Sequence, residues 1–296
     1  MKGDKSMDES FYRNITTLLS KSDINFIETV IRPVSYSENG TNVSLFCRDN
    51  LYMGPTELSK TPAISCLIVF TLFDAYLENK YDIQPGVSFR QKYNRLERDT
   101  NQEIIEKECY RLMKTIRNGF VHNISAITSI DDLFHFNYTS PQGTVFNLDI
   151  SSDKLELLYS IIILLVKGRY DINTKGHFEN VICTMYNDLK KHVDISGKFT
   201  DDGDKGEGTD DSFNLIAISS DIHFNTIVRY PVQNPSYEID NDRRVIIKSI
   251  YNPGYDWYSA DYCIEYSNKK YIIPQEILDE ENSIDISDLS EWELIQ

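Results

Sequence analysis

Along the chain, apolar residues first recur at helical spacing and later alternate. Met7–Ser20 places Phe11, Ile15, Leu18 and Leu19 on one helical face. Residues 23–49 mix Val30, Val34, Val43, Leu45 and Phe46 with Pro33 and Asn39-Gly40, which predicts a short hairpin or strand pair. Thr61-Pro62 opens a strongly apolar helix reaching Tyr81, with Pro62 suited to its first turn. Pro85-Gly86 interrupts the chain. A second helix follows over Asn101–Phe120, carrying Ile104, Ile105, Tyr110, Leu112, Met113, Ile116 and Phe120. Leu133–Tyr138 and Thr144–Leu148 flank Ser-Pro-Gln-Gly and predict a β-hairpin. Ser151–Lys167 and Lys175–His192 return to helix, the first with Ser151 or Ser152 as its cap.

Residues 197–211 hold four glycines among six acidic residues and almost nothing apolar, the composition of a linker. Beyond it the period becomes two, over Phe213–Ile218, His223–Tyr230, Arg244–Tyr251, Tyr258–Tyr266 and Lys270–Ile273. These predict a small antiparallel module of about five strands. The expected class is α+β: a mainly helical bundle with an inserted hairpin, followed by the small β module. The expected division is 1–59 as an N-terminal helix with short strands, 60–195 as the helical domain, 196–211 as linker, and 212–296 as the acidic β module with its tail.

Charge sharpens this division. The chain carries a net charge of −16. Between Lys60 and Lys191, sixteen basic residues face as many acidic ones, so the whole excess of acid lies elsewhere. A neutral helical segment keeps nucleic acid a permitted partner despite the overall charge. The five cysteines are scattered, odd in number and never C-x-x-C, which argues against a disulfide framework or a zinc ribbon. The polar Met1–Ser10 lacks the apolar core of a signal peptide. Ile64–Phe73 and Leu157–Val166 are about half a bilayer span. The expected setting is cytoplasmic, with no membrane partner.

The sharpest local feature is Ile116-Arg117-Asn118-Gly119-Phe120-Val121-His122-Asn123 at the end of the second helix. Five helical residues turn through about 500°, so Arg117 and His122 share no face of an unbroken helix. They converge if the helix distorts near Gly119 or if two chains meet. Asn118 and His122, four apart, share a face. Cleaving RNA by its own 2′-hydroxyl needs a group that moves protons near neutral pH and a cation for the phosphorane charge. Histidine suits the first task and guanidinium the second. No metal or other cofactor is needed for that chemistry, and none is expected.

Arg-Asn-Gly-Phe-Val-His resembles the R-x4-H signature of the HEPN superfamily of ribonucleases, with its polar residue directly after the arginine. The resemblance covers about Lys60–His192, including the helix with Phe73-Asp74-Ala75-Tyr76-Leu77-Glu78, the motif helix, the hairpin and two closing helices. It implies a bundle of four or five helices that dimerises to join two motifs in one cleft. It also implies metal-independent endoribonuclease activity leaving a 2′,3′-cyclic phosphate, in a toxin–antitoxin or anti-phage defence setting with an antitoxin or sensor protein as further partner. Arg117 would then bind and stabilise the phosphate, His122 would serve in proton transfer or substrate positioning, and Asn118 would hold the motif geometry or contact the backbone. Asp74 or Glu78 would stand as the acid that supports the arginine.

Two readings compete with catalysis. Arg117 can be an ordinary ion-paired arginine and His122 a residue favoured by the helix dipole. The bundle can also be a non-catalytic scaffold that binds a protein through its acidic C-terminal module. The run Asp202-Gly203-Asp204-Lys205-Gly206-Glu207 fails as a calcium loop, because its sixth position is Glu207 and its twelfth Phe213. His135, His177, His192 and His223 have no partners at ligand spacing, which disfavours a metal-dependent hydrolase. The tail from Pro274 has eight acidic residues and no basic one. It is either a partner-binding segment, able to compete with RNA for Arg117, or a strand and helix folded onto the module.

Overall fold

The computed structural model of the chain describes residues 61–122, 127–139, 145–169, 174–197, 215–220, 222–241, 243–252, 254 and 258–295. It adds short strands at 30–31, 34–37 and 40–43 and the single residues Thr16, Leu19, Leu58 and Ile172. Of the expected helix over Met7–Ser20 only Thr16 and Leu19 are described, both helical; the rest of it, nearly all of the acidic glycine-rich stretch and the rejected calcium loop lie outside the described residues. The fold is α+β and mainly helical. No helix among the described residues is long and apolar enough to cross a membrane.

The chain divides into two compact units: residues 1–27, 50–166 and 186–218 form one, and residues 28–49, 167–185 and 219–296 the other. The sequence-based boundaries differ from this division. The N-terminal strands belong with the C-terminal residues, and the division falls inside the last helix, between Met185 and Tyr186.

The first unit is built on α1 (Pro62–Lys80), α2 (Phe89–Arg95), α3 (Asn101–His122) and α4 (Ser152–Lys167). Helix α1 starts with Pro62, as its fixed φ favours. Short α2 is held by a capping box, in which Ser88 accepts from the Gln91 amide and Gln91 accepts from the Ser88 amide. Antiparallel α1 and α3 are fastened by polar contacts along their seam. Buried Glu106 accepts from Lys80 Nζ at 2.7 Å, Tyr81 Oη at 2.7 Å, Tyr76 Oη at 3.0 Å and Gln102 Nε2 at 2.8 Å. Strands β4 (Ile127–Ile130), β5 (Leu133–Thr139), β6 (Val145–Ser151) and β7 (Asp194–Gly197) form an antiparallel sheet in that order. Period-two alternation turns Phe134, Phe136, Leu148 and Ile150 to one face and His135, Asn137, Asn147 and Asp149 to the other. The expected hairpin is β5–β6, and its tip at 140–144 lies outside the described residues.

The second unit holds a mixed sheet. Its strands are β1 (Val30–Ile31), β2 (Val34–Ser37), β3 (Gly40–Val43), β8 (Val228–Gln233), β11 (Ser259–Tyr266) and β12 (Lys269–Pro274). The order is β12-β11-β8-β2-β3, with β1 also on β8. The expectation of a purely antiparallel module is corrected here. Central β8 runs parallel to β11, β1 and β2, because the chain crosses over between them instead of turning back. Residues 215–218 are not a strand. The crossover contains β9 (Tyr237–Ile239) and β10 (Arg244–Ile247), which form a second, antiparallel sheet with β13 (Ser283–Asp285). The tail is therefore folded: β13 pairs with β10, and Trp292 is buried. Helix α5 (Lys175–His192) begins in this unit, and the Trp292 ring lies so close to Gly176 that a Cβ there would meet it at 2.7 Å.

Candidate active site

Helix α3 runs unbroken from Asn101 to His122, so Gly119 does not end or kink it. Its glycine serves packing. A Cβ at Gly119 would lie 2.5 Å from a ring carbon of Phe136 on β5. Phe120 packs edge-on against Phe134 and Phe136, with ring centroids 6.1 and 5.1 Å away. The sheet therefore clamps the end of the helix that carries the motif.

On a continuous helix, positions 117 and 122 lie about 140° apart around the axis, whereas positions 118 and 122 differ by about 40°. Arg117 and Val121 share the neighbouring stripe by the same spacing. Arg117 and Asn118 are half-buried, and Arg117 Nη1 donates to Asn118 Oδ1 at 2.9 Å. The guanidinium carbon lies 5.8 Å from the centroid of the Phe70 ring on α1. That contact orients the arginine and is worth about 0.5–1 kcal/mol at a partly exposed site. The side chain of His122 lies outside the described residues.

Asp74 and Glu78 are placed with other partners than the arginine. Lys92 Nζ on α2 lies 2.8 Å from Asp74 and 2.5 Å from Glu78, and Tyr110 Oη donates to Asp74 at 2.5 Å. The antiparallel seam explains this. Lys80 lies level with Glu106, Asp74 with Tyr110, and Phe70 near Arg117. Tyr110 is seven residues, about 10 Å, along the axis from Arg117, so an acid at position 74 serves Tyr110 and Lys92. At the level of Arg117 the α1 residue is Cys66, whose thiol burial pushes up to about 12. A thiol held protonated there is inert as a nucleophile or ligand.

The same end of the α1–α3 pair exposes two large aliphatic side chains, Ile64 on α1 (49%) and Val121 on α3 (39%). The motif thus combines a half-buried cation, an amide fixed to it and an apolar margin. Such a surface can hold a phosphate group against the guanidinium.

The most connected polar cluster is elsewhere and was not legible as a site. In the second unit His177, Arg229 and Asp261 are fully buried. Arg229 donates to Asp261 from Nε at 2.9 Å and from Nη2 at 2.5 Å, and to Glu276 from Nη1 at 2.7 Å and Nη2 at 3.0 Å. Its guanidinium carbon stands 4.0 Å from the Phe224 ring centroid. A carboxylate only accepts, so His177 Nε2 carries the proton it donates to Asp261 at 2.9 Å, and Nδ1 accepts from the Thr174 hydroxyl at 2.7 Å. Burial keeps the imidazole below its ordinary pKa, outweighing the pull of Asp261. Burial pushes the Asp261 carboxyl up, but Arg229 and His177 reverse that and hold it at about 2. The one sequence signal was an ionisable residue inside each apolar run, Arg229 in Val228–Val232 and Asp261 in Ala260–Ile264. With His177, Arg229 and Asp261 closed to solvent and only Glu276 reaching the surface, the cluster is a fastening.

Of the other histidines, His135 Nδ1 donates to Asp149 Oδ1 at 2.8 Å across the β5–β6 pair, and exposed His192 lies 3.6 Å from Asp188. Among the described residues no three His, Cys, Asp or Glu side chains are grouped to hold a metal ion. Comparison of the chain with protein-family models, curated proteins and solved structures finds no match. The HEPN resemblance accordingly rests on the motif residues and the helix order alone.

Proposed function

We propose that the protein is a metal-independent endoribonuclease in which two chains pair so that Arg117 of one copy and His122 of the other act on a single phosphate. The observation that carries this reading is the unbroken α3 with Arg117 and Asn118 hydrogen-bonded at its end. A continuous helix separates the arginine from the histidine within one chain, and a two-fold pairing of the motif ends is the arrangement that brings them together. Ile64 and Val121 supply apolar surface for such a pairing at that end. In the reaction the 2′-hydroxyl attacks the adjacent phosphorus, its proton passes to a base, and the 5′-oxygen leaves with a proton from an acid. His122 takes one of these proton roles, for which an imidazole near neutral pH is suited. Arg117 binds the non-bridging oxygens, where charge builds in the transition state. Asn118 holds the guanidinium in position. A toxin or anti-phage setting, with an antitoxin or sensor as further partner, belongs to this reading through the HEPN resemblance.

The test is incubation of the full chain with total RNA in EDTA beside Arg117→Ala and His122→Ala. Cleavage that leaves cyclic-phosphate ends and is lost in both variants supports the reading; cleavage retained by the variants overturns it. Mixing the two inactive variants separates a shared site from two single-chain sites. Random pairing makes half of the dimers mixed, each with one intact composite site, so about a quarter of the activity returns. No recovery places both residues of a site in one chain. The 140° separation also favours a second reading, a non-catalytic bundle that binds a protein partner through its acidic module, and complete absence of cleavage by the wild-type chain would select it.

A further inference from the structure

A cavity of about 510 Å³ opens on the second unit, and its lining includes Lys175, Asn268, Lys269 and Lys270 together with the tail residues Leu294 and Ile295. Its lining includes a single acidic residue, Glu293. This is unexpected from charge alone. The unit holds eleven Lys and Arg against twenty Asp and Glu, yet three of the eleven meet at this one cavity.

The fold gathers them from two places. Lys175 is the first residue of the 18-residue α5, so the positive end of that helix dipole lies beside its ammonium. Lys269 and Lys270 follow the two-residue turn Ser267-Asn268, whose φ angles of +52° and +61° make the tight hairpin that starts β12. The tail completes the wall: the Leu294 amide donates to the Lys270 carbonyl at 2.8 Å, which lays Leu294 and Ile295 along the strand. Two lysines are steadied at the rim by tail carboxylates, Lys175 by Glu291 at 2.9 Å and Lys269 by Glu293 at 2.7 Å. Lys270 makes no ion pair among the described residues. Ile295, at 54% exposure, offers an apolar contact at the mouth.

We propose that this cavity binds a phosphate-bearing small molecule, with the phosphate among Lys175, Lys269 and Lys270 and any organic part on Leu294 and Ile295. Lysine ammonium groups are compact point charges that suit a phosphate without fixing its orientation. The volume falls in the range of small-molecule sites, about 300–1,000 Å³. The inference is independent of the RNA-cleaving reading.

The test is calorimetric titration of the full chain at low salt with AMP, inorganic phosphate and adenosine, repeated on Lys270→Glu and on Lys248→Glu. Lys248 pairs with Glu238 on the β9–β10 hairpin and serves as a charge-matched control. AMP is expected to bind the wild-type chain and the control alike, and to lose about tenfold in affinity in Lys270→Glu, the effect of reversing one charge near the phosphate. Adenosine is expected not to bind. Inorganic phosphate equal to AMP identifies free phosphate as the ligand; weaker phosphate identifies an ester. Absence of AMP and phosphate binding up to about 10 mM overturns the proposal. So does binding that Lys270→Glu leaves unchanged, or adenosine binding as well as AMP.

Discussion

The two units differ in how the charges that join their elements meet water. In the helical unit the ionic contacts that tie α1 to α3 and to α2 each keep one partner partly open to water: the side chains of Lys80, Asp74 and Glu78 are 31%, 25% and 20% exposed, and the closed pair of this unit, Glu108 with Arg111, lies within α3 itself. In the β unit Arg229, Asp261 and His177 have no exposure at all. A half-solvated pair tolerates the loss of one partner because water replaces it. A sealed pair does not, because the survivor keeps its charge in a medium of low polarisability. The residues that looked like chemistry in the helical unit, Asp74 and Glu78, are fasteners of the open kind. The histidine without any evident role, His177, belongs to the sealed kind.

The largest expected effect breaks the sealed cluster. Arg229→Met leaves Asp261 and Glu276 without their cation and should destabilise the β unit by about 3–5 kcal/mol. Denaturation followed by tryptophan fluorescence measures it, since both tryptophans of the chain, Trp257 and Trp292, belong to this unit. A loss below about 1 kcal/mol would mean that water reaches these carboxylates, and the contrast between the units would fail.

Next is Gly119→Ala. Alanine is the better helix former by about 1 kcal/mol, so a glycine that merely interrupted α3 would yield a gain on substitution. The new methyl instead meets Phe136 at 2.5 Å, and overpacking of this kind costs about 1–3 kcal/mol. The double variant with Phe136→Leu should recover much of the loss. If the single variant is more stable than the wild type, the clamp of the hairpin on the motif helix is refuted.

Asp74→Asn should cost less, about 1–2 kcal/mol, since Lys92 keeps Glu78 at 2.5 Å. Its value is diagnostic. A residue that supports Arg117 would lose RNA cleavage at unchanged stability, whereas a fastener loses stability and leaves cleavage by the folded protein intact.

What the sequence disclosed followed from local patterning. Pro62, the apolar spacing of Lys175–His192 and the alternation of Leu133–Leu148 reappear as α1, α5 and β5–β6, because each is decided within a few turns or one hairpin. Ser88-x-x-Gln91 is a capping signature, but seven residues are too few for an apolar stripe to show, so α2 went unread. The parallel partners of β8 lie about 200 residues upstream in β1 and β2 and 30 downstream in β11, and no local rule specifies such pairings. The same distance hides the sealed cluster, whose His177 and Asp261 are 84 residues apart. Asn118 was legible because it adjoins Arg117. The level of Asp74 on α1 required the register of two helices, which spacing alone does not give.

The smallest effect is the most selective for the sealed cluster, because it is read as a slope with pH. Burial holds the folded-state pKa of His177 below the ordinary 6.5. Above pH 6.5 neither the folded nor the unfolded chain carries a proton on this ring, and its stabilising contribution is complete. As pH falls below 6.5 the unfolded chain takes up a proton that the folded chain refuses, so stability declines until the lowered folded-state pKa is reached. One such group contributes at most about 1.4 kcal/mol per pH unit. Asp261 is silent in this window, because a carboxyl held at about 2 loses its contribution only as pH falls from about 4 towards 2. Urea denaturation at pH 7.5, 6.5 and 5.5 should therefore show a decline that His177→Asn flattens, whatever that variant does to absolute stability by unpacking Phe224 and Trp292. The half-solvated seam predicts no such sensitivity in the Asp74→Asn variant, which should keep the wild-type slope. Equal slopes in wild type and His177→Asn would show that protons reach the ring as easily as water reaches Asp74, and the distinction between the two units would then rest on Arg229 alone.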